Sequence, residues 1–473
     1  MPQTKLNVAI FDLDHTLIHT DLLYEQFLIA VKKNPLVIFT IFFILLKGKL
    51  ALKKYFSEIA PIHAEDLPYN EQVLEKVRQF KKQGISCFLV SASWHSEVSK
   101  VANFVGLFNA AFGSNESINL KGKNKLKLIQ EQWGHQQWAY VGDSNSDLSI
   151  WKKANLAISV NANASTVSTL KSFNNNHEII HTQKNIFVSF LKAIRIHQWV
   201  KNILVFIPII LAHRIFETDL LTKSFLAFIL FSFCASSIYL LNDLFDLSAD
   251  RRHQKKKLRP LASGDFPIPA GIFFFFVFSV ASLLTAFTID EKVGMTLLLY
   301  FILNLLYTFK FKSTMILDVI LLAVMYNLRI LFGGELTHIP ISHWLLSFSI
   351  FFFLGLAFIK RYSELIKHSE SSKKNNRAYL PEDRGMIAML GVSCSLLSVF
   401  VFSMYLSSDS VRVLYQKQNN LWALTPILVF WLSRTWLLTY RGQVDDDPVA
   451  FAIKDKTTYF VGILSLIVIV SSI

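Results

Sequence analysis

Cysteine is scarce. Cys87, Cys234 and Cys394 are the only three in 473 residues. Their scatter gives no metal-ligand spacing and no disulfide framework, which fits a reducing cytosolic face. The opening stretch "MPQTKLNVAIFDLD" shows no signal-peptide pattern, because acids interrupt the apolar run almost at once. Acids are outnumbered, 34 against 48 Lys and Arg, for a net charge of +14. In a soluble chain that balance would suggest nucleic acid. Here it reads as positive residues retained on cytoplasmic loops, so no nucleic-acid partner is expected.

What is abundant is apolar surface. Hydrophobic residues make up 52% of the chain and Phe alone counts 42, with a mean hydropathy of +0.39. The length allows two or more domains. Residues 1 to about 190 have the character of a soluble domain, whereas apolar runs alternate with short charged loops from about 200 onward.

"NVAIFDLDHTL" (7–17) reads as a buried strand ending in two carboxylates. Asp12 and Asp14, one residue apart, face the same side of a strand. "ISCFLVSAS" (85–93) is a second apolar strand that ends in small hydroxyl residues. "NLKGKNKLKLI" (119–129) places a lysine at a helix start, and "WAYVGDSNSDLSIW" (138–151) ends a third strand in Asp143, with Asp147 four residues on. Alternating strands and helices predict a parallel α/β sheet with the acids at the carboxyl ends of its strands.

Over residues 5–175 this order of motifs resembles the haloacid dehalogenase superfamily of phosphatases. The resemblance implies a Rossmann-like domain over 1–185 with a helical cap at about 15–80. It implies Asp12 as the nucleophile, Asp14 as the general acid and base, and Ser91 and Lys125 as holders of the phosphate oxygens. Asp143 would bind Mg²⁺ with support from Asp147, and Asp12 and Asp14 would share that metal site. Attack by a carboxylate on a phosphate dianion requires charge to be neutralised, which is why a metal and a lysine belong there. Within the cap region, "LVIFTIFFILL" (36–46) is flanked by Lys32, Lys33, Lys47 and Lys49. Eleven apolar residues are too few to span a bilayer. The run reads either as a buried cap helix or as a helix on the membrane surface.

Nine apolar segments follow, near 200–216, 222–241, 270–289, 294–309, 314–333, 342–359, 385–406, 421–440 and 457–472. With the N-terminal domain in the cytoplasm, the loops 242–264, 310–313, 360–384 and 441–456 are cytoplasmic. They hold about 18 Lys and Arg against about 5 on the other side, as positive-inside topology requires. The expected location is a bacterial inner membrane, multi-pass, with a periplasmic C-terminus.

The loop after the second segment reads "NDLFDLSADRRHQKKKLRPLASG". Asn242, Asp243, Asp246 and Asp250 recur at spacings of three and four, which on a helix end share one face. Such acids repel one another unless a cation is bound. Arg251, Arg252, Lys255, Lys256, Lys257 and Arg259 follow, a field suited to phosphate. Acids for Mg²⁺ beside bases for phosphate describe a diphosphate site.

The stretch resembles the first motif, NDxxDxxxD, of the UbiA superfamily of intramembrane prenyltransferases; the resemblance covers roughly 190–473 and implies a transferase domain over 186–473. That resemblance implies an all-α membrane domain and carries Asn242, Asp243, Asp246 and Asp250 over as a Mg²⁺–diphosphate motif. The second motif departs from the common DxxxD: "YTFKFKSTMILDVILLAVMYNLRILFGG" has Asp318, but Leu322 where another acid would sit. Arg329 lies inside an apolar span, where an ionisable residue has a function by default.

"RIHQWVKNILVFIP" (195–208), "KFKSTMILDV" and "FIKRYSEL" (358–365) together look like the polyprenyl-phosphate phosphoribosyltransferase branch. That branch implies transfer of 5-phosphoribose from 5-phosphoribosyl diphosphate to a polyprenyl phosphate. Lys201, Asn202, Arg259, Lys310, Lys312, Arg329, Lys360 and Arg361 would bind substrate, and Asp318 would join Asp243, Asp246 and Asp250 as metal ligands. The fused phosphatase would then remove the 5-phosphate. An aromatic-acid prenyltransferase of the 4-hydroxybenzoate type, using a prenyl diphosphate, is the alternative. A non-catalytic scaffold or transporter carrying a phosphatase is a second.

Overall fold

The computed structural model describes residues 6–173, 176–182, 185–368, 378–408, 411, 414–444 and 448–473. The chain divides into two compact units. The first comprises Met1–Ile196 with Tyr239–Phe275, and the second His197–Ile238 with Phe276–Ile473. The basic loops expected at 360–384 and 441–456 lie partly outside the described residues.

In the first unit a six-stranded parallel sheet has the order β3-β2-β1-β4-β5-β6. The strands are β1 (Val8–Phe11), β2 (Ser86–Trp94), β3 (Ala110–Ser114), β4 (Trp138–Gly142), β5 (Leu156–Val160) and β6 (Asn176–Ile180). Central β1 reads VAIF and is buried throughout, as a parallel strand covered on both faces must be. Ala9, Phe11, Leu89 and Val141 face one core, and Val8, Ile10, Val90 and Tyr140 the other. β1 pairs with β2 and with β4, Phe11 opposite both Leu89 and Val141. The loops that leave β1 and β4 therefore begin side by side.

Between β1 and β2 the chain forms α1 (Leu22–Lys33), α2 (Val37–Leu46), α3 (Lys49–Ile59) and α4 (Glu71–Lys82). Asp21 starts α1 by accepting the Leu23 amide at 2.8 Å, a capping role that suits its short side chain. α1, α2 and α3 make a small core of their own from Ala30, Val37, Ile41, Leu52, Phe56 and Ala60. This is the helical cap expected from the sequence. Further on, α5 (His95–Val105) follows β2, and α6 (Lys123–Trp133) leads into β4.

Among the described residues, the regular structure of the rest of the chain is helical. Seven helices are long and apolar enough to cross a membrane, and eight if the bent pair Ile186–Ala193 and Ile196–Leu211 is one span. The nine spans expected from the sequence thus become seven or eight among the described residues. The last of them, Lys456–Val470, has 15 residues, about 22 Å at the helical rise, against a hydrocarbon core of about 30 Å. In the second unit Leu317–Thr337 is the most enclosed span, 67% buried, whereas Glu291–Phe309 is 28% buried. Gly333 permits this enclosure. A Cβ there would lie 2.0 Å from the Val205 carbonyl oxygen.

Candidate active sites

The first site lies at the carboxyl ends of β1, β2 and β4. Asp12 follows β1, and its amide bonds the Val141 carbonyl at 2.9 Å. One carboxylate oxygen of Asp12 accepts the Leu13 amide at 2.8 Å, and the other accepts Lys125 Nζ at 2.6 Å. Lys125, from α6, also bonds the Tyr140 hydroxyl, which in turn donates to Asp147 at 2.9 Å. Asp147 holds the next turn as well, accepting the Asp143 and Ser144 amides at 3.2 Å each. Gly142 makes room for it, since a Cβ would sit 2.6 Å from a carboxylate oxygen of Asp147.

Asp14 is held separately. Ser91 and Ser93 donate to one of its oxygens at 3.1 and 2.7 Å, and the Leu22 amide donates to the other at 2.9 Å. The next residue, His15, takes a left-handed backbone (φ 57°), a position that constrains a non-glycine residue. Ser91 and Lys125 are buried, with Ser91 turned to Asp14 and Lys125 to Asp12. Ser93 and Tyr140 were not singled out in the sequence. Their signal was weak: a second hydroxyl in "SAS", and a tyrosine three residues before Asp143 in an otherwise apolar strand.

Electrostatics mark this site. Burial pushes the Asp12 carboxyl up to about 6, against the pull of the Lys125 ammonium. Asp143 is held well above the usual carboxylate range by burial, then by Asp12 and Asp147. Asp14 is raised by burial and by Asp21. Burial alone would lower Lys125, but the carboxylates of Asp12 and Asp147 outweigh it and raise it. Among the described residues, Asp12, Asp143 and Asp147 are the group whose ligand atoms come within 4.8 Å of one another. Three hard oxygen donors in mutual repulsion are a fit for a divalent cation such as Mg²⁺. A cavity of about 640 Å³ opens over them, lined also by Asp14, His15, Lys49, Lys53 and Lys121.

The second acidic cluster, also in the first unit, occupies the end of the apolar helix Thr218–Phe245 and the short helix Leu247–Arg252. Asp243 and Asp250 are buried and converge on one guanidinium: Arg259 Nη1 donates to them at 3.0 and 2.6 Å. Arg195, unremarked in the sequence although it opens "RIHQWVKN", also pairs with Asp243 and stacks over Tyr239. Asp246 is half-buried. The Asn242 side-chain oxygen is buried with no protein donor among the described residues. Asp243, Asp246 and Asp250 do not form a group tight enough to share one ion.

The phosphate field expected from the bases is divided. Arg251 turns to Glu25 of α1, with nitrogen–oxygen distances of 3.0 and 2.7 Å, and to the Ala262 and Asp66 carbonyls. Arg252 grips Asp66 at 2.6 Å on both oxygens. The physical reason is proximity: buried carboxylates lie within fork geometry of each guanidinium. Lys32, at the end of α1, donates to the Phe245 carbonyl at 2.6 Å.

In the second unit Asp318 is fully buried. It accepts Arg361 Nε and the Tyr379 hydroxyl, each at 2.6 Å. Arg361 also reaches Glu364 and Tyr307. Arg329 is buried against Phe231, Tyr300 and Tyr326, with cation–ring distances of 5.0–5.1 Å. It donates to Asn202 at 2.9 Å, to the Met325 carbonyl and to Tyr300. Lys201, Lys312 and Lys360 are half-buried and Lys310 is exposed. Tyr300, Tyr307 and Tyr379 complete these clusters.

Comparison with known proteins agrees with this anatomy. The UbiA prenyltransferase family model matches residues 203–461, and the haloacid dehalogenase-like hydrolase model matches 9–152. The uncharacterized protein y4nM of Sinorhizobium fredii is 33% identical over 96% of this chain and 89% of its own. Decaprenyl-phosphate phosphoribosyltransferase of Mycolicibacterium smegmatis is 29% identical over 58% of this chain and 88% of its own. Among solved structures, a UbiA homolog from Archaeoglobus fulgidus bound to GPP and Mg²⁺ covers 60% of this chain and 97% of its own, at 17% identity and a TM-score of 0.44. The chain belongs to the UbiA prenyltransferase family and carries an N-terminal haloacid dehalogenase-like domain. It is a multi-pass membrane enzyme, a UbiA-type transferase joined to a phosphoric monoester hydrolase.

Proposed function

We propose that residues 186–473 transfer 5-phosphoribose from 5-phosphoribosyl diphosphate to a polyprenyl phosphate, and that residues 1–185 then remove the 5-phosphate. The observation that carries this reading is the convergence of Asp243 and Asp250 on Arg259. A guanidinium shared between two buried acids is poised to exchange them for a diphosphate; the acids so released would have to draw closer together than they stand here to hold Mg²⁺. Leu322, in place of a second acid, and the 29% identity to a decaprenyl-phosphate phosphoribosyltransferase favour the ribosyl donor over a prenyl diphosphate. Asn242 and Asp246 belong to the same motif as these acids, and Asp318 is assigned to metal binding by its place in the second motif. Lys201, Asn202, Lys310, Lys312, Arg329, Lys360 and Arg361 supply positive charge and hydrogen bonds for a pair of phosphorylated substrates. The membrane is the bacterial inner membrane, with the phosphatase domain in the cytoplasm.

In the phosphatase, the Asp12 carboxylate attacks phosphorus and the ester P–O bond breaks. The leaving oxygen takes its proton from Asp14, whose raised pKa suits an acid. Water then attacks the aspartyl-phosphate, gives its proton to Asp14, and releases phosphate with Asp12 restored. Lys125, and Ser91 from the Asp14 side, hold the phosphate oxygens. Mg²⁺ held by Asp12, Asp143 and Asp147 would neutralise phosphate charge.

The test supplies membranes with radiolabelled 5-phosphoribosyl diphosphate, or with labelled prenyl diphosphate and 4-hydroxybenzoate. Mg²⁺-dependent label in lipid from the first donor is expected. Asp243→Ala or Asp250→Ala should lower it by about a hundredfold, the scale of losing electrostatic help to a leaving diphosphate. Prenylated 4-hydroxybenzoate, with no lipid labelled from the ribosyl donor, would overturn the proposal.

A further inference from the structure

Helix α2 is unlike the rest of the cap. Val37 and Ile41 pack inward. Ile44 packs against the same core in part, and most of the other large side chains point out of the fold: Phe39 is 69% exposed, Phe42 63%, Phe43 65% and Leu46 76%, with Leu36 and Ile38 beside them. Ten residues without a charge form an apolar face that the protein itself leaves uncovered. Lys47 and Lys49 follow it directly, and both are exposed.

Two further contacts say what covers this face. Lys32, five residues before α2, bonds the carbonyl of Phe245, the final residue of a membrane-length helix. That bond sets the start of α2 beside the last residue of this helix. At its other end, α2 gives Leu45 to the phosphatase cavity, and α3 adds Lys49, Leu52 and Lys53. One wall of the cavity is thus continuous with the exposed apolar face.

We propose that α2 lies in the membrane interface and opens the phosphatase cavity to it, so that this site takes a phosphate monoester carried on a lipid. The apolar side chains enter the acyl boundary and the flanking lysines meet anionic headgroups. A lipid-borne ester approaches past Leu45 and brings its phosphate to Lys49, Lys53 and Lys125, with Asp12 behind them. The cavity, at about 640 Å³, admits a sugar phosphate as well as phosphate itself. This deepens the reading above, on which it rests for the identity of the lipid ester, by giving the phosphatase a side from which its substrate approaches.

The experiment uses the full chain in vesicles of phosphatidylethanolamine and phosphatidylglycerol. A spin label at Phe39→Cys reports depth through collision with oxygen or with a water-soluble nickel chelate. Hydrolysis is followed on phosphatidic acid within the vesicles and on soluble p-nitrophenyl phosphate. The label should lie below the headgroups. Phe42→Ser with Phe43→Ser should lower phosphatidic acid hydrolysis by about tenfold or more, and leave the soluble ester within about twofold, because both side chains are exposed and outside the cavity. A label in water, including one shielded only when a protein is added, overturns the proposal. So does a double variant that acts alike on the two esters. If both results hold while no lipid is labelled from 5-phosphoribosyl diphosphate, the inference stands and the proposed transfer reaction falls.

Discussion

Asp12 shows how one side chain couples chemistry to stability. It is buried, paired with Lys125 and close to Asp143 and Asp147. Asp12→Asn should abolish phosphate release and leave transfer to lipid unchanged, because it removes the nucleophile and reaches no residue of the transfer region. Separate assays of inorganic phosphate and of labelled lipid check this; loss of both in a folded variant would contradict it. Asp12 also carries a pH signature. Its carboxyl is raised from 3.8 to about 6. An acid raised on folding holds its proton longer in the folded state, so stability falls as pH rises from about 4 through 6. A bound divalent cation competes with that proton. Stabilisation by Mg²⁺ should therefore be small near pH 5 and several degrees in Tm near pH 8. Thermal unfolding with and without Mg²⁺ at the two values tests the sign, and equal shifts at both would refute it.

Among elements, the clasp between α1 and the short helix Leu247–Arg252 has the clearest energetic consequence. Arg251 and Glu25 are each 7% exposed and bonded through both guanidinium ends. Arg251→Gln strands a buried carboxylate and should cost about 3–5 kcal/mol. Adding Glu25→Gln should recover part of that loss, a coupling that unfolding of the two single variants and the double variant would measure. Arg252 with Asp66 should matter less, since Arg252 is 62% exposed.

The same clasp shows where sequence reading stops. β1, β2 and β4 were legible as apolar runs ending in acids or hydroxyls, because a central parallel strand must be apolar throughout. The acids of both sites were legible by spacing. Arg251 and Arg252 read as a phosphate field because their partners stand 226 and 186 residues away, and no local pattern encodes such a pairing. Arg195 stayed hidden for the same reason. Helix α2 stayed ambiguous because an eleven-residue apolar run fits a core or an interface equally; only exposure decides which faces are uncovered.

For the whole molecule, orientation depends on the number of crossings. Seven helices qualify as spans by length and composition, the bent pair adds an eighth, and the 15-residue Lys456–Val470 would make a ninth. With all nine crossing, a reporter fused after Ile473 should read the periplasmic side. A cytoplasmic signal would mean that one of the two irregular segments does not cross.

The first compact unit is assembled from two stretches of chain, Met1–Ile196 and Tyr239–Phe275. A gene cut near codon 185 would therefore not yield two finished proteins. One product would lack the segment that neutralises Glu25 and Asp66, and the other would bear Arg251 and Arg252 without these carboxylates. Complementation between the two halves would require them to find each other at cellular dilution, whereas on one chain the encounter is intramolecular. Separating the two activities into independent genes would thus first require replacing both arginines and both carboxylates, so the ion pairs act as a lock on the fusion itself.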